Sequence, residues 1–127
     1  MAGRTTIWKA RGASADAPLL HLEIADTFLR RFLGLMGRKS IAPAHGLLIV
    51  PCSGVHTCFM RFVVDVIYLK HREDGGWQVV KTVRGLRPWI GFSLCRGADA
   101  VVEMGQGEAE RLGMETGTIW KETQREA

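Results

Sequence analysis

Residues 55–70 read VHTCFMRFVVDVIYLK, and this stretch decides how the chain folds. It is rich in β-branched and aromatic residues, which favour extended structure. One uninterrupted strand of this length would be about 50 Å long, which is beyond ordinary strands. We therefore predict two strands that meet at a bend or bulge near Arg61 or Phe62.

The segments around this stretch also have the signals of β-structure. Residues 71–76, HREDGG, are typical of a hairpin connection, and residues 77–83 are predicted to form the returning strand. Before the stretch, residues 46–50 form a dense apolar run that indicates a buried strand. In residues 20–25, apolar and polar side chains alternate, as in a strand with one buried face. The other predicted strands cover residues 5–10, 99–104 and 118–121.

Two short helices complete the predicted set of elements. The first follows Asp26, whose carboxylate is a suitable N-cap for the first turn. This helix is predicted to bury one apolar face and to turn Arg30 and Arg31 toward water. The apolar side chains recur at helical spacing at Phe28, Leu29, Phe32, Leu33 and Met36. The second helix is predicted within residues 107–112 and ends at Gly113.

Together these elements predict a mainly β (α+β) fold. We expect an antiparallel, barrel-like or sandwich-like single domain with two short helices. The length of 127 residues is enough for one core and too short for two ordinary ones. The single domain is therefore expected to cover residues 1–127, with flexible ends at residues 1–4 and 122–127.

The composition excludes several classes of protein. Apolar residues make up 46% of the chain and charged residues 24%, which excludes a disordered chain and a collagen-like fibre. Residues 1–15 are polar and no apolar run is long enough to span a membrane, so we expect neither a signal peptide nor a membrane partner. The odd number of cysteines favours reduced thiols and a cytoplasmic location. The formal charge of +4 comes without a long basic run, so nucleic acid is an unlikely partner.

A group of cysteine and histidine residues could bind a metal or supply a nucleophile. Cys52, His56 and Cys58 are ligand types that zinc prefers, but they lack the spacing of a zinc knuckle and need a further ligand such as His45. On a strand, the side chains of His56 and Cys58 run parallel, which is poor geometry for a thiol and its base. We therefore predict packed thiols, with no metal and no cofactor.

Asp65 is the most informative charged residue, because it lies inside the apolar run of residues 62–68. A buried carboxylate must be ion-paired or hydrogen-bonded, or it becomes protonated. Arg61 is about 13 Å away along a straight strand, so it reaches Asp65 only if the chain bends between them. The candidate partners across the sheet are His56, Arg84 and Arg87. Asp65 therefore either locks a turn or an ion pair, or contacts a ligand.

Glu103 lies in a second apolar run, residues 101–104. It either points outward from an edge strand or faces the same cleft as Asp65. The candidate ligand-binding residues are thus His56, Arg61, Asp65 and Glu103, in a polar cleft of a non-catalytic module that binds a small molecule or a protein. The alternative is a hydrolase or lyase that uses Asp65 and Glu103 as acid and base on a small polar or sugar-like substrate. Whether the chain is an enzyme stays open.

Several blocks of the sequence resemble a family of uncharacterised proteins called domain of unknown function 192. The blocks are RFLGLMGR (31–38), HGLLI (45–49), HTCFMRFVVDV (56–66), PW (88–89) and VVEMGQGEA (101–109). The resemblance covers about residues 20–120, and it implies a small, mostly β domain of barrel-like or sandwich-like shape, with no established biochemical activity. By resemblance, Met60, Arg61 and Asp65 carry the family's central motif, and Glu103 is the glutamate before its glycine turn.

The chain departs from the family pattern at three positions. Val63 stands where proline is common, so the predicted bend must form without a proline ring. Cys58 replaces a usual large residue, and Ile90 follows Trp89 where a basic residue is frequent. Relatives often carry a secretory or membrane-anchoring N-terminus, which we do not expect here.

Overall fold

The computed structural model describes residues 4–126, with side chains as far as Thr123. In chain order its elements are β1 (Thr5–Ala10), β2 (Leu20–Ala25), α1 (Phe28–Leu33), β3 (His45–Ile49), β4 (Gly54–His56), β5 (Val64–His71), β6 (Trp77–Leu86), β7 (Phe92–Leu94), β8 (Ala100–Gly105), α2 (Glu108–Arg111) and β9 (Ile119–Glu126). The predicted mainly β domain with two short helices is confirmed.

Seven strands close into a barrel in the order β1-β2-β3-β8-β5-β6-β9, with β9 pairing back onto β1. Every neighbouring pair in the barrel is antiparallel except β2 and β3. A parallel pair needs a long crossover connection, and the segment that contains α1 provides it. Strands β4 and β7 form a separate two-stranded sheet.

The barrel wall separates two hydrophobic cores. Side chains of β5 alternate between them: Ile67 and Leu69 belong to the core inside the barrel, and Val66 and Tyr68 belong to a second core on the outer face. The β4–β7 sheet and the loops beside it contribute Val55, among others, to this outer core. Because both faces of β5 are buried, its sequence is almost continuously apolar rather than alternating.

The predicted bend in residues 55–70 is a longer break than expected, since β4 ends at His56 and β5 begins at Val64. Thr57 fixes the start of this break. Its buried hydroxyl donates to the Arg87 carbonyl at 2.5 Å and accepts from the Gly91 amide at 2.7 Å. The hydroxyl thus ties the segment between β4 and β5 to the loop before β7.

Replacing Thr57 with valine is expected to lower the free energy of unfolding by about 2 kcal/mol, because a buried hydroxyl that bonds one backbone carbonyl and one backbone amide is lost while the shape is kept. Urea denaturation measures the change. The neighbouring exposed Cys58→Ser change is the control and should stay within about 0.5 kcal/mol of the parent. Equal stability of the two variants would contradict this role of the hydroxyl.

The predicted environment of α1 is wrong. The N-cap is Thr27, whose hydroxyl accepts from the Arg30 amide at 3.2 Å, while Asp26 pairs with Arg4 instead. No residue of the helix is buried, and its large apolar side chains face outward. Leu35, which follows the helix, is the residue of this region that packs into the outer core, because Gly34 turns the chain inward. A helix of six residues therefore leaves its apolar face uncovered.

The last strand is longer than predicted. It continues from Ile119 to Glu126, past the expected end at Lys121, because β1 offers pairing partners along this length. Residues 122–126, expected to be a flexible end, are thus part of the barrel; residues 1–3 and 127 lie outside the described residues. Within residues 4–126, no helix is long and apolar enough to cross a membrane.

Candidate ligand-binding site

The carboxylate of Asp65 lies inside the barrel and is fully buried. Its Oδ2 accepts from the amides of Gly107 and Ala109 at 2.9 and 3.1 Å, and its Oδ1 accepts from the Gly85 amide at 3.0 Å. The first two donors open α2, and the third lies in a bulge of β6 where Gly85 has a φ of +70°. Of the interpretations left open, the geometry supports a locked turn.

Arg61 and Arg84 do not pair with Asp65. Arg61 is exposed and lies outside the outer core, and Arg84 pairs with Glu115 at 2.7 Å. The backbone amides replace these cations because Asp65 points into the barrel, where three free N–H groups converge.

Asp65 and Glu103 lie on opposite faces of the barrel wall. In the β5–β8 register, Asp65 pairs with Met104 and Val66 pairs with Glu103. Adjacent positions on a strand point to opposite faces, so Glu103 faces the outer core while Asp65 faces the inner one. The proposed acid–base pair of Asp65 and Glu103 is therefore not formed, and the hydrolase or lyase interpretation based on it is wrong.

Glu103 instead forms part of an open cavity of about 270 Å³ in the outer layer. One wall consists of α1 and the turn after it, and the other consists of residues 49–56 together with Met60. Most of the lining is apolar, with Phe28 and Phe32 at one side and His56 at the other. A cavity of roughly 150 Å³ already holds a benzene molecule, so this one is large enough for a small organic ligand.

Burial raises the pKa of Glu103 from an ordinary value of 4.5 to about 7. The side chain is only 3% exposed, and no described residue provides its carboxyl with a hydrogen bond or an ion pair. Its Oε1 reaches toward Gly34, where an added Cβ would lie 3.4 Å away. Near neutral pH the carboxyl can therefore either donate a proton in a hydrogen bond or act as a charged acceptor.

Cys52 and Tyr68 are close enough to Glu103 for its charge to act on them. Burial is the largest cause of the raised pKa of Cys52, and the charge of Glu103 raises it further. Burial also raises the pKa of Tyr68, partly offset by the nearby Ser93, although its hydroxyl has no hydrogen-bond partner of normal geometry among the described residues. Both groups therefore stay protonated near neutral pH, so Cys52 is a packed thiol and not an activated nucleophile.

Cys58 and His56 do not form a nucleophile and its base. The His56 Nδ1 accepts the backbone amide of Cys58 at 3.3 Å, and the Cys58 thiol faces the Trp89 carbonyl at 3.9 Å. His45 stacks on His21 with ring centroids 5.0 Å apart. Nowhere in residues 4–126 do three or more His, Cys, Asp or Glu side chains come together in a way that could hold a metal ion.

Of the predicted site residues, the structure brings only His56 and Glu103 to one cavity. The residues missed by sequence reasoning are Phe28, Phe32 and Arg31 of α1, which line it. The signal that could have found them is the helical spacing of apolar residues in α1. This spacing indicates an apolar face that becomes covered, but it does not show whether the protein core or a ligand covers that face.

The fold and the cavity define a class of small closed β-barrel domains with a second hydrophobic layer on the outer wall. The chain belongs to the family called domain of unknown function 192, described as uncharacterised, whose model matches residues 10–120. Curated relatives carry the name UPF0127 protein. The one from Pyrococcus furiosus is 36% identical and aligns over 77% of this chain and 83% of its own; the one from Pyrococcus abyssi is 33% identical over 76% and 80%.

Two crystal structures are similar in fold. A protein from Sinorhizobium meliloti 1021, named as a proposed transcription regulator, matches with a TM-score of 0.80 and 21% identity over 96% of each chain. A protein of unknown function from Novosphingobium aromaticivorans matches with a TM-score of 0.73 and 19% identity, over 93% of this chain and 83% of that one. At these identities the likeness establishes the fold alone.

Proposed function

We propose that this domain is a non-catalytic binding module whose outer cavity takes a small amphiphilic ligand. The observation that supports it is the carboxyl of Glu103, which is buried, has no partner among the described residues and lines an open, mostly apolar cavity. A buried polar group without a hydrogen bond costs free energy, and a bound ligand can supply the missing bond. Pockets of this kind, apolar with one or two polar groups, are typical of ligand sites.

The exposed face of α1 supports the same proposal. Phe28 and Phe32 line the cavity, yet they are 78% and 58% exposed. Their rings stack with centroids 6.4 Å apart, so they present one apolar surface at the cavity mouth. An apolar ligand body would cover this surface and gain about 25 cal/mol for each Å² removed from water.

Phenethylamine and phenethyl alcohol are suitable probes, because both have a small apolar body and one polar group. We expect at least one of them to shift the amide NMR signals of residues 31–36 and 49–56. The Phe32→Ser variant should weaken that binding by about tenfold through the loss of apolar contact. Phe92, also exposed but outside the cavity, gives the matched control Phe92→Ser, which should bind within about twofold of the parent.

The binding proposal fails if neither probe binds, or if the shifted signals scatter over the surface. It also fails if Phe92→Ser weakens binding as much as Phe32→Ser does. Because both phenylalanines are exposed, each change should leave the free energy of unfolding within about 0.5 kcal/mol of the parent, so a binding loss would not reflect unfolding.

The other expected partners remain predictions. A protein partner is suggested by Ile90 and Phe92, which are exposed and lie outside the cavity. The name of the Sinorhizobium protein raises nucleic-acid binding, but we regard it as the less favoured function because Arg38 and Arg84 already pair with carboxylates. The cytoplasmic location is supported by the cysteines, which are all free thiols.

A further inference from the structure

We propose that the ligand of the outer cavity is a primary amine with a small aryl or alkyl body, and that Glu103 binds its ammonium group. This inference rests on the proposed function, because it names the ligand class of the same cavity. The geometry that supports it is a buried carboxyl that faces a space of ligand size, with apolar walls on both sides.

No side chain within residues 4–123 provides a counterion for Glu103. The one arginine of the lining is Arg31, and its guanidinium donates to the carbonyls of Thr27 and Pro51 at 3.4 and 3.2 Å. A carboxylate that is removed from water without a cation is costly, and pairing with a cation that also donates hydrogen bonds offsets this cost. An ammonium group has three donors and no acceptor, so it fits an ionised carboxylate better than a hydroxyl does.

The walls of the cavity suit the body of such an amine. Phe28, Phe32 and Leu33 provide apolar surface on the α1 side, and Val55 and Met60 provide it opposite. The amine would therefore place its charge beside Glu103 and its carbon skeleton against α1.

Binding of the amine should be coupled to the ionisation of Glu103. The other titratable or charged groups that face it are Cys52 and His56 on one wall, Tyr68 below and Arg31 on α1. Burial keeps Cys52 and Tyr68 protonated near neutral pH, and Arg31 stays charged. When an ammonium ligand binds the protonated form, the Glu103 carboxyl releases its proton to water and no other bond is made or broken.

The test compares phenethylamine with phenethyl alcohol by isothermal titration calorimetry. At about pH 8 the amine should bind roughly tenfold more tightly than the alcohol, and Glu103→Gln should abolish this difference. Since the ionised fraction of Glu103 falls as the pH is lowered, amine affinity should drop by up to about a hundredfold toward pH 5. Alcohol affinity should change little.

The outcomes separate the amine proposal from the binding proposal. If the alcohol binds in the cavity as tightly as the amine, or if Glu103→Gln leaves amine binding unchanged, the amine proposal is overturned and the binding module stands. If neither probe binds, both fail. The pH comparison uses the parent protein and His56→Gln, which lacks the histidine of the cavity, so it holds even if Glu103→Gln alters the fold. If the amine binds more tightly than the alcohol but its affinity does not change with pH, the role of Glu103 is also overturned.

Discussion

Replacing Asp65 with alanine is expected to remove about 3–6 kcal/mol from the free energy of unfolding, the largest effect of any substitution considered. Three backbone amides, of which that of Ala109 belongs to a fully buried residue, would lose their buried acceptor together. Each buried donor left without a partner costs about 1–3 kcal/mol. Since small domains are stable by only about 5–15 kcal/mol in total, the variant should be close to unfolding.

The size of the effect follows from what Asp65 joins. It reaches from β5 to the bulge of β6 at Gly85 and to the first turn of α2 at Gly107 and Ala109. The N-cap residue of α2 is Gly107, which has no side chain to cap the helix, so Asp65 takes that role from a distant strand. Losing it frees a bulge and a helix at once.

Asp65→Asn should lower the free energy of unfolding by about 1–3 kcal/mol, which is less than the loss in Asp65→Ala. The side-chain amide oxygen of asparagine can still accept from the two α2 donors, while its NH₂ group faces the Gly85 amide. Hydrogen exchange should show faster loss of protection at Gly85 than at Ala109 in this variant. In the folded state, phenethylamine binding should equal that of the parent, because Asp65 lies on the other side of the barrel wall from the cavity.

Urea denaturation measures both substitutions, with Asp99→Ala as control. Asp99 is a more exposed aspartate that accepts one backbone amide, that of His71 at 2.8 Å, so its loss should cost about 1 kcal/mol or less. If Asp65→Ala and Asp99→Ala destabilise equally, the three buried bonds do not have the role described. If Asp65→Asn changes probe affinity, Asp65 belongs to the binding site after all.

Local pattern was sufficient to predict most of the strands, because each depends on nearby residues. The hairpin at residues 71–76 and the alternation in residues 20–25 are examples, and both are confirmed. The face on which Asp65 and Glu103 lie depends instead on the β5–β8 register. A slip of one residue moves a side chain to the other face, and no local signal in either strand sets that register.

The candidate site was predicted only in part for a related reason. The apolar spacing of α1 correctly predicted a helix, but burial depends on whether another element covers it, and Phe28 and Phe32 face a cavity and solvent. Glu103 was recognised as a charge in an apolar run, and that argument holds in the structure. The family resemblance added confidence in the barrel but no information on a ligand, since the family is uncharacterised.

The second large effect is expected for Glu103→Gln, which should stabilise the protein at high pH and much less at low pH. The pKa of Glu103 is raised by burial from 4.5 to about 7. Between these values the native state holds a proton that the unfolded chain has released, so the free energy of unfolding of the parent falls as the pH rises through this window. The pKa shift corresponds to about 3 kcal/mol of the parent's free energy of unfolding, and this contribution is fully lost above pH 7.

Glutamine keeps the shape and cannot ionise, so the variant should escape this loss. Urea denaturation at about pH 4, 6 and 8 should show a stability difference, variant minus parent, that grows by about 3 kcal/mol across the series. Glu108→Gln is the matched control, and its effect on the free energy of unfolding should have the opposite sign. Hydrogen bonds from Arg111 lower the pKa of Glu108, so this change should destabilise the protein near neutral pH and lose its effect as the pH falls. A constant difference for Glu103→Gln would mean that its charge is already compensated, which would remove the reason for the cavity to prefer an ammonium ligand.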